Sequence, residues 1–422
     1  MNVQAKLTPT PAEAALVEAF NARVSELPGD GEVMRARDNA VETIKAGLPS
    51  RRVEAWHYTD LRRLLYSVPE FDQSAKVKPV APLLEGSIVL SVLNGVAQEA
   101  AAPVEGIILR RVPDMLADGS YAPALSPQDG ADAIGAVNIA FVSDGHFVEV
   151  ADGIQLDRPI ELQHVLGPGQ SHVRFPVRIG AGAKATIVER QTGEAGGFAT
   201  AVSNVVVGDG AELVWVIVQE EAADATYLGQ FNAWIGRNAK LTLFIMNAGG
   251  KLVRQEVRVA AKGEHAAFRL RGANLLAGDT HCDVTMVLDH ESYGSTSTEI
   301  VRNIVLDRAQ GVFQGQIRVA REAQKTDAKM ACNTLLLTDE GEFSAKPELE
   351  IFADDVACGH GATVAEIDMD HLFYLMSRGI PEKDARGLLV KAFLAEVIEE
   401  LEDEALVTAL EAKLEAWFAA HG

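Results

Sequence analysis

Two hydrophobic periods divide the chain into three stretches. Residues 1–84 carry apolar positions at helical spacing. Thr10-Pro11 opens a run in which Ala14, Ala15, Leu16, Val17 and Phe20 cluster, the proline suiting a first helical turn. A second amphipathic run passes through Met34, Val41, Ile44 and Leu48 and stops at Gly47–Pro49. From 85 to 365 the period falls to two and glycines punctuate short runs, the pattern of strands. From 366 to 422 helical spacing returns. Met369 to Gly379 is a helix with a glycine at its end, and Pro381 begins another with Leu388, Leu389, Phe393 and Val397 on one face. A third, from about Glu404, carries Leu406, Leu410, Leu414 and Trp417, after a charged run Glu399–Asp403 that reads as a solvated turn.

The strand region contains an internal repeat. IGAGAKATIV begins at Ile179, VGDGAELVWV at Val207, IGRNAKLTLF at Ile235 and VAAKGEHAAF at Val259, offsets of 28, 28 and 24. Each unit has a β-branched residue or its equivalent, a small-residue turn, then alternating apolar positions such as Leu213, Trp215 and Ile217. Turn chemistry at near-constant spacing describes stacked coils, each covering the open edge of its neighbour. A β-sandwich of evenly spaced hairpins would alternate similarly; the regularity of the turn favours a β-helix, a β-solenoid flanked by helices. The C-terminal helices have little core of their own, so their apolar face either caps the solenoid or meets a partner.

Composition narrows the function. Acidic residues exceed basic ones by 60 − 38 = 22, a surface that repels phosphate backbones and disfavours nucleic-acid binding. The three cysteines, at 282, 332 and 358, are too sparse for a disulfide framework and fit a reducing compartment. The opening MNVQAKLTPTPAEAALVEAF lacks the features of a signal segment, and no apolar run approaches the roughly 18 residues of a membrane span. A cytoplasmic protein is expected.

Common catalytic motifs are missing. There is no GxxxxGK[ST], GxSxG or HExxH, and Gly249-Gly250-Lys251 lacks the upstream spacing of a phosphate loop. No flavin fingerprint is present. The densest unusual segment runs from Leu349 to Val364. Within it Cys358 and His360, one residue apart, point to one face of an extended strand. Thiolate with imidazole suits iron or zinc, although two ligands do not make a complete site, and a buried cysteine beside a hydrogen-bonded histidine has the same pattern. The segment Arg51 to Asp60 mixes charge with Trp56 and Tyr58, which reads as an aromatic pin onto the next region.

These segments also carry a resemblance. Gln324-Lys-Thr-Asp-Ala328, Pro347-Glu-Leu-Glu-Ile351, Ala353-Asp-Asp-Val356, Cys358-Gly-His-Gly-Ala-Thr-Val364 and Leu372-Phe-Tyr-Leu-Met-Ser-Arg-Gly379 resemble the SufB/SufD family. Arg51-Arg-Val-Glu-Ala-Trp-His-Tyr-Thr-Asp60 is similar to its SufD branch. The resemblance implies a right-handed parallel β-helix with helical ends and a non-catalytic scaffold role in iron–sulfur cluster assembly. It implies pairing with a SufB-like paralogue through the C-terminal part of the β-helix, and a SufC-like ABC-type ATPase carried on the C-terminal helices. ATP then sits on that partner, with no nucleotide site on this chain. An iron–sulfur cluster, transient and shared with the partner, is expected at the paralogue interface. His360 matches the family's interface histidine, with Cys358 its neighbour; Leu372, Phe373, Tyr374 and Arg378 match the segment near the ATPase. Cys332 stands where many SufD-like chains have a polar residue, and is a candidate extra thiol ligand or a buried strand cysteine. A homodimer through the same surface is expected when the chain is alone. The alternative from a different class is a cytoplasmic β-helical carbohydrate-active enzyme using the clustered Asp354 and Asp355.

Overall fold

A computed structural model of the chain describes residues 8–72, 74–99 and 103–421. Residues 1–7, part of the opening stretch read for a signal segment, lie outside the described residues.

The centre is a parallel β-solenoid of about eight coils, and the sandwich alternative falls away. Each full coil contributes one strand to a ten-stranded sheet and one to a nine-stranded sheet, so successive strands in sequence never pair with each other there. Among the described residues antiparallel pairing occurs only at the first coils, where Ile88–Leu93 turns through Asn94-Gly95 into Val96–Ala97, and Ile107–Arg111 pairs with Asp144–Val150.

The repeat has a backbone cause. One residue per coil takes a left-handed conformation at the same corner: Gly182, Gly210, Asn238, His265, Gly294 and Lys325, spaced by 28, 28, 27, 29 and 31. Glycine and asparagine adopt that conformation at least cost. The next residue is small and buried, as at Ala183, Ala211, Ala239 and Ala266. The register corrects the fourth unit. Ile179, Val207, Ile235 and Ala261 are in line, so that unit begins at Ala261 rather than Val259, which stands beside Ala233.

Among the described residues eight α-helices flank the solenoid: α1 Pro11–Arg23, α2 Gly31–Ala46, α3 Leu61–Leu64, α4 Val112–Ala117, α5 Ala133–Phe141, α6 Met369–Ser377, α7 Glu382–Glu399 and α8 Glu404–His421. Thr10 and Glu13 form a reciprocal capping box at the start of α1, and Asp30 caps α2. The helices α4 and α5, which the hydrophobic period does not predict, join α1 and α2 in a core that covers Phe198, Leu228 and Leu252 on the nine-stranded sheet. Trp56 pins the Arg51–Asp60 segment to that face. It is fully buried, donates Nε1–H to the Ala131 carbonyl at 3.0 Å and lies 3.8 Å beneath the Arg254 guanidinium. Tyr58 is half-buried, with its ring edge-on to His57.

On the opposite flank α7 and α8 cover Val188, Val216, Val218, Phe244, Met246 and Ile304 of the ten-stranded sheet. Their apolar faces therefore cap the solenoid. In α8 the buried residues are the expected Leu406, Leu410, Leu414 and Trp417. In α7 the face is rotated from the expected one. Ala385, Val390, Leu394, Val397 and Ile398 are buried, Leu389 and Phe393 are half-buried and Leu388 is exposed. The charged run after α7 is not simply solvated, because Glu400 pairs with the buried Arg271 at 2.5 Å.

Candidate functional site

The solenoid begins in antiparallel strand pairs and ends in parallel strands whose outer edges pair with no strand among the described residues. The final strand of the ten-stranded sheet, Ala357–Ala365, pairs in parallel with Asp327–Leu336 on one side and with nothing on the other. Its register sets Cys358 beside Ala328, His360 beside Met330, Ala362 beside Cys332 and Val364 beside Thr334. All four partners are buried inside the coil, so Cys358, His360, Ala362 and Val364 face inward around its open mouth. Cys332 is on the same inner face, one rung deeper and diagonal to His360. Rungs about 4.8 Å apart and same-face neighbours about 6.6 Å apart make that diagonal about 8 Å between Cα atoms. Among the described residues no three His, Cys, Asp or Glu side chains stand close enough together to hold a metal ion. The mouth offers a partial donor set.

The three cysteines differ in their surroundings. Cys282 is buried in the nine-stranded sheet, where burial raises its thiol well above the ordinary range. Burial pushes Cys332 up to about 12, against the Asn303 amide, which donates to its Sγ at 3.4 Å. It is a neutral thiol at physiological pH. Cys358 is half-buried; its thiol is raised by burial first, then by the charges of Asp327 and Glu299, while a hydrogen bond with the Ala328 backbone opposes them. His360 is exposed.

Sequence reading missed what stands behind this mouth. Glu299, Met330 and His360 form one inward-facing column across three rungs. Among the described residues no group stands at hydrogen-bond distance of the buried Glu299 carboxyl oxygens, and burial pushes the group up to about 8 against the weaker opposing pull of Ser297 and Arg271. Beside this column runs an amide ladder. Asn247 donates to Asn274 and Asn274 to Asn303, each at 2.7 Å, and Asn303 donates to Thr334 Oγ1 at 3.0 Å as well as to Cys332. The signal was a recurrence at 27 to 31 residues, visible only once the coil length is known.

The two open edges are not equivalent. Glu342–Ile351, last in the nine-stranded sheet, carries Lys346, Glu348, Glu350 and Pro347. The amides of Glu342 and Phe352 donate back into the sheet, so the alternate position 347 faces solvent, where a proline breaks no internal bond and denies a donor to a newcomer. Ala357–Ala365 has no proline and no Lys, Arg, Asp or Glu. Its Ala357 amide donates to Thr326, which leaves the amides of 358, 360, 362 and 364 pointing away from the sheet. A Cβ added at Gly359 or Gly361 would meet nothing within this chain, so its own packing does not demand glycine there. Phe352, which directly follows Glu342–Ile351, is 65% exposed.

The helix α6 follows at once. Leu372 is buried in the core shared with α7, whereas Phe373 and Tyr374 are 72% and 56% exposed, and the exposed Arg378 holds its guanidinium 5.2 Å over the Tyr374 ring. A groove of about 1010 Å³ runs along α7 and α8, lined by Leu306, Leu337, Ile367, Leu388, Val390 and Phe418. Asp354 and Asp355 lie in an exposed turn, where Asp355 is ion-paired with Lys325. No helix is long and apolar enough to cross a membrane among the described residues.

Comparison with known proteins agrees with this architecture. Residues 164–393, more than half of the chain, match the family described as SUF system FeS cluster assembly, SufBD core domain. The chain is 28% identical over 409 residues to the iron–sulfur cluster assembly protein SufD of Escherichia coli, covering 90% of this chain and 92% of that one. It is 28% identical over 418 residues to the chloroplastic protein ABCI7 of Arabidopsis thaliana, covering 91% and 86%. It is 27% identical over 291 residues to the iron–sulfur cluster assembly protein SufD of Bacillus subtilis, covering 66% of each. With a parallel solenoid, helical ends and these matches together, the chain belongs to the SufD branch of the SufB/SufD family of the SUF iron–sulfur cluster assembly system.

Proposed function

We propose that this chain is a non-catalytic, cytoplasmic scaffold that builds an iron–sulfur cluster jointly with a SufB-like paralogue at the mouth of its solenoid. The observation that carries the reading is the last strand, with Cys358 and His360 turned into an open mouth on an edge free to accept another strand. The cluster is cargo. One half-buried thiol, one imidazole and the deeper Cys332 are too few to hold it alone, so the remaining ligands come from the partner. The division of labour follows 1–84, 85–365 and 366–422: an N-terminal helical region, the β-helix, and a helical region that docks a SufC-like ABC-type ATPase. Phe373, Tyr374 and Arg378 are the docking surface, and Leu372 anchors it to α7. The ATPase partner holds the nucleotide, and its closure moves the attached helices and opens the scaffold interface. Alone, the chain pairs with itself through the same edge.

The test co-expresses the chain with its SufB-like and SufC-like partners, with His360 intact or as His360→Ala, and measures iron and sulfide in the purified complex. The expected result is an assembled complex that has lost its cluster. Full cluster content in the variant would remove His360 from the assembly site and leave the chemistry to the partner.

A further inference from the structure

The strand Thr296–Val305 lies between the α7 helix and the inner face of the solenoid. Consecutive residues of a strand point to opposite faces. Arg302 points out and Asn303 points in. Outside, the Arg302 guanidinium is ion-paired with Glu396 and lies 4.8 Å over the Phe393 ring, both residues of α7. Inside, Asn303 donates to Cys332 Sγ at 3.4 Å, to the Asn333 carbonyl at 3.1 Å and to Thr334 Oγ1 at 3.0 Å. A second arginine, Arg271 on the neighbouring strand, grips Glu400 four residues further along the chain from Glu396 and ties the Thr298 carbonyl at 2.8 Å. The α7 helix is thus clamped to two adjacent coils, one of which presents the amide that holds Cys332.

We propose that Arg302 and Asn303 couple the seating of α7 to the surroundings of Cys332, so that a displacement of the C-terminal helices loosens the inner wall behind the mouth. Arg302 acts as a positioning residue, through Asn303. The inference deepens the reading above, in which these helices take the ATPase and the mouth takes the cluster. The physical reason is stiffness. The Arg302 side chain is largely buried and Asn303 is wholly so, and the peptide between them cannot shift on one face without shifting on the other. Lys391 supplies the contrast. It pairs with Glu415 of α8 at 3.0 Å and makes no link to the sheet through that contact.

The experiment needs neither iron nor partners, so its failure is separable from failure of the scaffold reading. The full chain is treated with N-ethylmaleimide, and alkylation of Cys332 and Cys282 is followed separately by peptide mass. Cys282, buried in the other sheet, reports global opening. Arg302→Met and Glu396→Gln are expected to raise the Cys332 rate about three- to tenfold relative to Cys282, the range for losing a partly buried ion pair with its aromatic contact. Lys391→Met leaves the ratio unchanged. The charge of Arg302 favours the Cys332 thiolate, so its removal by itself slows alkylation, and an acceleration reports opening. The proposal is overturned if Cys332 does not respond, if it moves only in step with Cys282, or if Lys391→Met gives the same rise.

Discussion

Strand Ile160–Leu166 is buried along its whole length, whereas Ala357–Ala365, at the far end of the same solenoid sheet, has no buried residue. The two follow the same coil geometry and differ in what covers them. In the middle coils both parities of a strand are apolar. Leu213, Trp215 and Ile217 fill the inside, and Val214, Val216 and Val218 lie under the C-terminal helices. Such a strand reads as a continuous apolar run because both its faces are covered. In the last coil the inner positions are Cys358, His360, Ala362 and Val364, and the outer ones Gly359, Gly361 and Thr363. Little apolar surface remains there for this chain to bury. A repeat protein ordinarily ends in a polar cap; this one ends in an inner face still partly apolar, and that asymmetry supports completion by another chain.

The largest expected effect tests whether the difference is energetic. Trp215 is fully buried and donates Nε1–H to Glu189 at 3.2 Å. Trp215→Ala is expected to cost about 3–5 kcal/mol, or to prevent folding, while Val364→Ala stays within about 0.5 kcal/mol. Urea unfolding of the isolated chain measures both. Comparable costs would mean that the mouth is closed in solution.

Protonation separates the sealed interior from the mouth in a second way. His164 and His172 are buried, each pushed down to about 3 by desolvation. Their unfolded value is near 6.5, so the unfolded chain binds the extra protons and stability is lost as pH falls from 6.5 towards 3. Glu221 and Glu299 behave oppositely. Burial raises both to about 8 from about 4.5, so their stabilising protons are fully present below 4.5 and are lost as pH rises through 8. Between pH 6.5 and 8 the histidines contribute little further change, and stability is expected to fall by about 1–2 kcal/mol for each carboxyl. Glu299→Gln and Glu221→Gln should each flatten that slope in thermal unfolding followed against pH. An unchanged slope would show that the carboxyls are already solvated.

Much of this was legible in the sequence, and the failures have physical causes. The repeat was visible because one left-handed corner recurs, at Gly182, Gly210 and Asn238, with a small buried residue after it. It was misplaced at Val259 because the next corner is His265, in a turn one residue longer. The α5 helix escaped notice because all nine of its residues are buried, and a helix apolar on every side has no stripe. Cys358 and His360 were legible as a same-face pair from their spacing alone. Glu299, Met330 and Asn303 were not, because partners one rung apart are 29 to 31 residues apart in sequence, and that interval drifts from coil to coil.

The smallest effect sharpens the contrast between the two open edges. Pro347 already occupies a solvent-facing amide position in Glu342–Ile351, and the corresponding amides of Ala357–Ala365 are intact. Ala362→Pro removes one of these. It breaks no bond to Asp327–Leu336, because the amides that pair inward belong to the alternate positions beginning at Ala357. Stability of the isolated chain should therefore change by no more than about 0.5 kcal/mol. Association with the SufB-like partner should weaken about two- to tenfold, the worth of one backbone hydrogen bond of about 0.5–1.5 kcal/mol. Titration calorimetry with that partner and sedimentation of the chain alone read the two modes of pairing. Undiminished affinity in both would mean that a second chain joins by side-chain contact across the mouth, without extending the sheet.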